Sequence, residues 1–228
     1  MHIAGIVRIA ALLASMLLLT PAPAASAKDL DEVMSHDGLQ KIKVKDIDLA
    51  YARPGASLAG YSSIKLEPVE VAFRKDWNPT KTGSLFKLST EERENIRTGV
   101  AKIVFGEFVK ELQAKSGYKV VNEAGPDVLR VKVNIVNLYV NAPDTGSIGP
   151  SRTFTVSAGE MTLFAELFDS ETGQVLARVV DRREARGSAG MMTFSNSVPN
   201  AAEAADIASS WARILRNGLD KAHAIGKK

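Results

Sequence analysis

One thirteen-residue stretch, Val128 to Val140, constrains the fold more than any other part of the sequence. Its apolar side chains Leu129, Val131, Val133 and Ile135 alternate with the polar side chains Arg130, Lys132 and Asn134. A period of two is that of a strand with one buried and one polar face. Such a strand cannot bury its apolar face alone, so the chain must build a sheet and cover one face of it.

Two more strands are predicted directly downstream. Residues 153–168 alternate, with Met161, Leu163, Ala165 and Leu167 on the apolar face. Val175 to Glu184 is the predicted return strand, and Asp169–Gly173 between them reads as a tight turn with Gly173 at positive φ. The three strands are therefore expected to form an antiparallel meander.

The remaining elements complete an α+β pattern. Ser63–Phe73 reads as a strand interrupted by Pro68, and residues 118–122 as a short strand. Ser89 and Glu92 form a capping-box pattern at the start of a helix whose apolar residues extend to Leu112. Ser197 or Asn200 caps a last helix, which runs to about Ile225 and buries Trp211. We expect a largely antiparallel sheet of about five strands with two main helices packed on one face.

The first 27 residues have the layout of a secretory signal. Arg8 precedes an apolar run of about 11 residues, too short for the roughly 20 that span a bilayer. Ala25-Ser26-Ala27 is a small-x-small cleavage pattern. We therefore divide the chain into a signal peptide (1–27), an N-terminal polar segment (28–48) and one α+β domain (49–226). The polar segment shows a short helix near Leu30–Ser35 and little sign of packing.

This layout predicts a mature protein that begins at Lys28. The intact mass of the exported protein should lack residues 1–27, because signal peptidase cleaves after the small-residue pattern. Recovery of the chain with Met1 in a membrane pellet would contradict this prediction.

The composition argues against several kinds of chemistry. The chain has no cysteine, and its three histidines, His2, His36 and His223, all lie near an end. Glu160 and Glu166 share one strand face but lie about 20 Å apart, too far for a glycosidase pair, so they are expected on a solvated face. We predict no catalytic, cofactor-binding or metal-binding residue, which favours a protein that is not an enzyme. A formal net charge of +3 gives too weak a field to favour nucleic acid.

Two long loops mark the predicted functional end. Residues 141–152 and 186–199 must share one end of the meander, opposite the tight turn. We predict a binding rim there, formed by Arg152, Arg186, Met191, Met192 and Phe194. The alternative is that the three apolar side chains fold back to cover the sheet edge or the helix.

Several segments resemble the bacterial family known as domain of unknown function 3313. Residues 51–61 and 64–69 are similar to its opening signature, and residues 211–220 to its closing helix. Residues 125–131 and 158–163 also match, so the similarity covers about residues 39 to 225. The resemblance implies an exported protein and transfers no catalytic residue. Because no cysteine follows the signal, the lipid anchor common in this family is not implied.

These observations together predict a periplasmic protein of the cell envelope. We expect a non-catalytic interaction or assembly protein whose partner is an envelope protein or polymer. It should need no cofactor and should not insert stably into a membrane after signal cleavage. The alternatives left open are an envelope hydrolase and a small-ligand or glycan binder.

Overall fold

The computed structural model describes residues 27–77, 88–140, 158–184 and 197–226. Two short 3₁₀ turns, His36–Gly38 and Ala114–Ser116, accompany the main elements. The helices are α1 (Ala27–Ser35), α2 (Thr90–Gln113) and α3 (Ser197–Gly226). The strands are β1 (Gln40–Ile42), β2 (Leu49–Ala52), β3 (Ser63–Leu66), β4 (Glu70–Phe73), β5 (Lys119–Val120), β6 (Val128–Val140), β7 (Ala158–Asp169) and β8 (Val175–Glu184).

The α+β class is confirmed, but the predicted sheet is wrong in size and direction. Within the described ranges, eight strands, not about five, form one open mixed sheet of order β1-β2-β8-β7-β6-β3-β5, and β4 also pairs with β6. The β6–β7–β8 meander is antiparallel, as predicted. The strands β3 and β4 run parallel to β6, and β5 runs parallel to β3. The sheet is therefore not largely antiparallel.

Helix α2 accounts for the parallel pairing. It lies between β4 and β6 in sequence, and a long helical crossover returns the chain in the same direction, whereas a short hairpin reverses it. The capping box predicted at its start is present: the Glu92 backbone N–H donates to Ser89, and the Ser89 backbone N–H donates to the Glu92 carboxylate. The predicted interruption at Pro68 separates β3 from β4.

The main core lies between one face of the sheet and the helices α2 and α3. The four predicted inward residues of β6 are all 0% exposed, and Trp211 of α3 is 2% exposed, which confirms its place in the core. Trp77 is also core: it stacks on Phe73 and its indole N–H donates to the Val140 carbonyl oxygen. From α2 the core receives Ile96, Val100, Val104, Phe108 and Leu112.

The N-terminal segment packs against the opposite face of the sheet. Met34 is fully buried and clusters with Leu39 and Tyr51, so the expectation of little packing is wrong. Arg178 of β8 fastens the segment, because its guanidinium donates to the carbonyl oxygens of Val33 and His36 and pairs with Asp37. The predicted domain boundaries stay predictions.

The turn between β7 and β8 is held by Asp169. Its carboxylate accepts hydrogen bonds from the backbone N–H and the hydroxyl of Thr172 and from the Tyr61 hydroxyl. The Thr172 backbone N–H, the Thr172 hydroxyl and the Tyr61 hydroxyl together hold the pKa of Asp169 below its ordinary value. Gly173 closes the turn at φ 70°, as predicted.

Replacing Asp169 with Asn should destabilise the fold in a pH-dependent way. Because the folded-state pKa of Asp169 is lowered, its contribution is present above the unfolded value and is lost as the pH falls through the folded value. Chemical unfolding at pH 7 should show a loss of about 1–2 kcal/mol, shrinking below about pH 4. The control Glu171→Gln removes a charge from the same turn and should change stability far less. Equal losses of stability in Asp169→Asn and Glu171→Gln would contradict the role given to the Asp169 carboxylate in the turn.

Candidate functional site

Small side chains on the sheet leave space under α3. Ala50 and Ala52 of β2 lie beside Val179 and Ala177 of β8, on the sheet face that carries the helices. Ala165 of β7 pairs with Val179 and extends the same surface. Because alanine projects only a methyl group, the sheet and the helix do not meet closely along this strip.

A cavity of about 270 Å³ occupies this space. Its floor is the alanine strip, and one wall is the flank of α3 formed by Trp211, Ile214, Leu215 and Gly218. The opposite wall is apolar as well and comes from the β1–β2 hairpin and the loop after β2, at Ile42, Val44, Ile47, Ala56 and Leu58.

The polar side chains in the lining are engaged elsewhere. The Tyr51 hydroxyl donates to Asp31, which lies in α1 on the other sheet face. The Arg53 guanidinium donates to the carbonyl oxygens of Val175 and Asp37. The space itself therefore meets an almost wholly hydrocarbon surface.

The hairpin wall of the cavity includes a lysine-rich stretch, residues 41–45. Lys41, Lys43 and Lys45 are all exposed to solvent. The residues between them, Ile42 and Val44, line the cavity, and Ile42 remains 43% exposed. This short segment therefore has exposed lysines and, between them, two apolar residues that line the cavity.

A buried carboxylate fixes α3 at the end of the cavity. Asp181 of β8 is only 3% exposed. One of its oxygens accepts from the Trp211 indole N–H (2.6 Å) and from Arg183 Nε (2.8 Å), and the other accepts from the backbone N–H of Asp48 (3.0 Å). Sequence reasoning missed this hub, although a charged residue at an inward position of β8, between Val179 and Arg183, was a visible signal.

Two replacements of Trp211 test how much this hub contributes to stability. Trp211→Phe keeps most of the apolar contact but takes one donor from a buried carboxylate, which should cost about 1–3 kcal/mol in chemical unfolding. Trp211→Ala also loses the packed ring, and its cost should reach about 3–5 kcal/mol. Wild-type stability in Trp211→Phe would show that the hydrogen bond contributes nothing.

A polar cleft of about 520 Å³ lies on the other flank of α3. The Tyr118 hydroxyl donates to Asp220 (2.9 Å), and the Tyr118 ring meets the His223 ring edge-on. Burial, followed by the Asp220 hydrogen bond, raises the pKa of Tyr118. His223 Nε2 lies 2.9 Å from the Tyr61 carbonyl oxygen, and Arg216 and Lys115 complete the charged lining.

A family model described as protein of unknown function (DUF3313) matches residues 31–215. The chain belongs to this family. The match confirms the resemblance seen in the sequence. None of the curated proteins matches the chain.

Two solved structures are distantly similar to the chain. The PelC dodecamer from Paraburkholderia phytofirmans has 10% identity and a TM-score of 0.37, over 73% of this chain and 96% of that one. Protein XCC0632 from Xanthomonas campestris, assigned to the DUF330 family, has 9% identity and a TM-score of 0.39, over 78% of this chain and 94% of that one. Both TM-scores are below 0.5, so neither likeness bears on function.

The predicted binding rim lies outside the described residues. Neither loop tip is described, so the rim stays a prediction. Its five residues are Arg152, Arg186, Met191, Met192 and Phe194.

The strand carboxylates are not on a solvated face, contrary to expectation. The side chains of Glu160 and Glu166 are 13% and 16% exposed, and each pairs with an arginine of β8. Within the four described ranges, no group of three His, Cys, Asp or Glu residues is arranged to hold a metal ion. The helices described there also include none long and apolar enough to cross a membrane.

Proposed function

We propose that this protein is an exported cell-envelope protein that acts by binding, and that its cavity under α3 receives an apolar group of the ligand. The observation that carries the proposal is the cavity of about 270 Å³ with its nearly continuous hydrocarbon lining. Ligand sites are typically concave and mostly apolar. The signal-like N-terminus supports a periplasmic location.

The size and chemistry of the cavity narrow the class of ligand. Its volume lies just below the roughly 300–1,000 Å³ of sites for drug-sized ligands. A short acyl chain or one aromatic ring suits this volume better than a complete lipid. A sugar suits it poorly, because each hydroxyl would lose its water without gaining a hydrogen-bond partner.

The lining supports binding without catalysis. The described residues around the cavity include no carboxylate, imidazole or ammonium group, and its one guanidinium and one phenol are hydrogen-bonded outside it. General acid–base catalysis needs a titratable group within hydrogen-bond reach of the reacting atom. This cavity offers burial of apolar surface, worth about 25 cal/mol per Å².

A cavity-filling variant tests the proposal. Gly218 lines the cavity, and a Cβ built there meets no atom within 4 Å, so Gly218→Leu should extend into the space without distorting α3. The wild-type protein should enhance and blue-shift the fluorescence of N-phenyl-1-naphthylamine, and decanoate should displace the dye. Gly218→Leu should weaken dye binding about tenfold, because the leucine occupies the apolar volume.

Gly106→Leu is the matched control. Gly106 is an exposed glycine of α2, also has open space around a Cβ, and is not part of the cavity lining. Both variants should melt at or above the wild-type temperature, because glycine in a helix costs about 1 kcal/mol. Dye binding that is absent in the wild type, or equal in the two variants, would refute the cavity as the ligand site.

A further inference from the structure

The polar cleft beside α3 contains cationic donors that the described residues leave unused. Among the described residues, its lining includes Lys115, Arg216 and His223 but only one carboxylate, Asp220. Lys115 is exposed, and its ammonium makes no hydrogen bond or ion pair with any residue of the described ranges. The described lining of the cleft therefore carries a net positive charge.

Arg216 is held in place yet keeps a free edge. Its Nη1 donates to the Glu111 carbonyl oxygen (2.9 Å), and its Nε lies 3.7 Å from Asp220. Its Nη2 has no hydrogen bond to the described part of the chain and lies beside Gly117, where a built Cβ would be 3.3 Å away. The absence of a side chain at Gly117 thus keeps this edge of the guanidinium open to the cleft.

The one carboxylate in the described lining already has partners. One oxygen of Asp220 accepts from Tyr118, and the other faces Arg216. The Tyr61 carbonyl oxygen can only accept, so His223 Nε2 carries the hydrogen between them. Two cationic donors remain for a ligand: the ammonium of Lys115 and the Nη2 group of Arg216.

We propose that this cleft binds a small molecule through a phosphate or carboxylate group, held between Lys115 and Arg216. An oxyanion supplies the acceptors that these donors lack, and charge-assisted hydrogen bonds of this kind are short and strong. The cleft of about 520 Å³ leaves room for a polar molecule attached to the anionic group. This site is on the opposite flank of α3 from the apolar cavity and does not depend on it.

Backbone amide NMR of the full mature chain tests the proposal. Sodium phosphate and sodium acetate are titrated separately at constant ionic strength, with sodium chloride as the baseline. Saturable shifts at Gly117 and Tyr118 are expected with at least one of the two anions, and the anion that saturates at lower concentration identifies the preferred group.

Two charge-matched variants decide whether the cleft is responsible. Lys115→Gln should raise the apparent Kd for that anion about fivefold or more, because a charge-assisted contact is lost. Lys102→Gln removes the same charge from an exposed position of α2 outside the cleft. This variant should change the apparent Kd by less than about twofold. No saturable shift with either anion up to about 50 mM, or equal weakening in both variants, would overturn the proposal.

Discussion

The buried carboxylate of Asp181 is the interaction on which the arrangement of this fold depends. An unpaired ion at 3% exposure would cost several kcal/mol, so its three hydrogen bonds are a condition of folding. They come from three separate places: the loop before β2, the same strand β8, and the middle of α3. One side chain thus sets both the height of α3 over β8 and the position of the β1–β2 hairpin.

In this position, α3 contributes one flank to the apolar cavity and the other flank to the polar cleft. Residues 211, 214, 215 and 218 lie on one flank and line the apolar cavity, while residues 216, 220 and 223 lie on the other flank and line the polar cleft. These two sets follow helical spacing and alternate along the same stretch of sequence. The amphipathic pattern of α3 predicts only the buried stripe that lies between these two flanks.

Local periodicity decided which parts of the fold could be predicted from sequence. The bounds of β6 and β8, the capping box of α2 and the burial of Trp211 all rest on signals within one element. The short strands β1 and β2 have no such signal, and β2 pairs with β8 more than a hundred residues away. That pairing enlarges the sheet, and the crossover through α2 makes it mixed.

The candidate site was less predictable than the fold, for a related reason. A cavity forms where two packed surfaces fail to fill the space between them. Alanines such as Ala52 and Ala177 give no sign of this in the sequence of either strand alone. Only their pairing under α3 leaves the space. The inward charge of Asp181 was visible in the sequence, but its partners Asp48 and Trp211 were not.

The two anchors on either face of the sheet also set where the cavity under α3 opens. Arg178 fastens the N-terminal segment to one face, and Asp181 fastens α3 to the other. Asp181 also accepts from the backbone N–H of Asp48, which holds the hairpin just before β2. Among the residues that line the cavity, Ile42, Ala56 and Gly218 are exposed to solvent. The opening is therefore bordered by apolar or small residues of the hairpin, the loop after β2 and α3. An extended hydrocarbon group passes such a slot without losing hydrogen bonds to water, whereas a polar group of the same width would lose them.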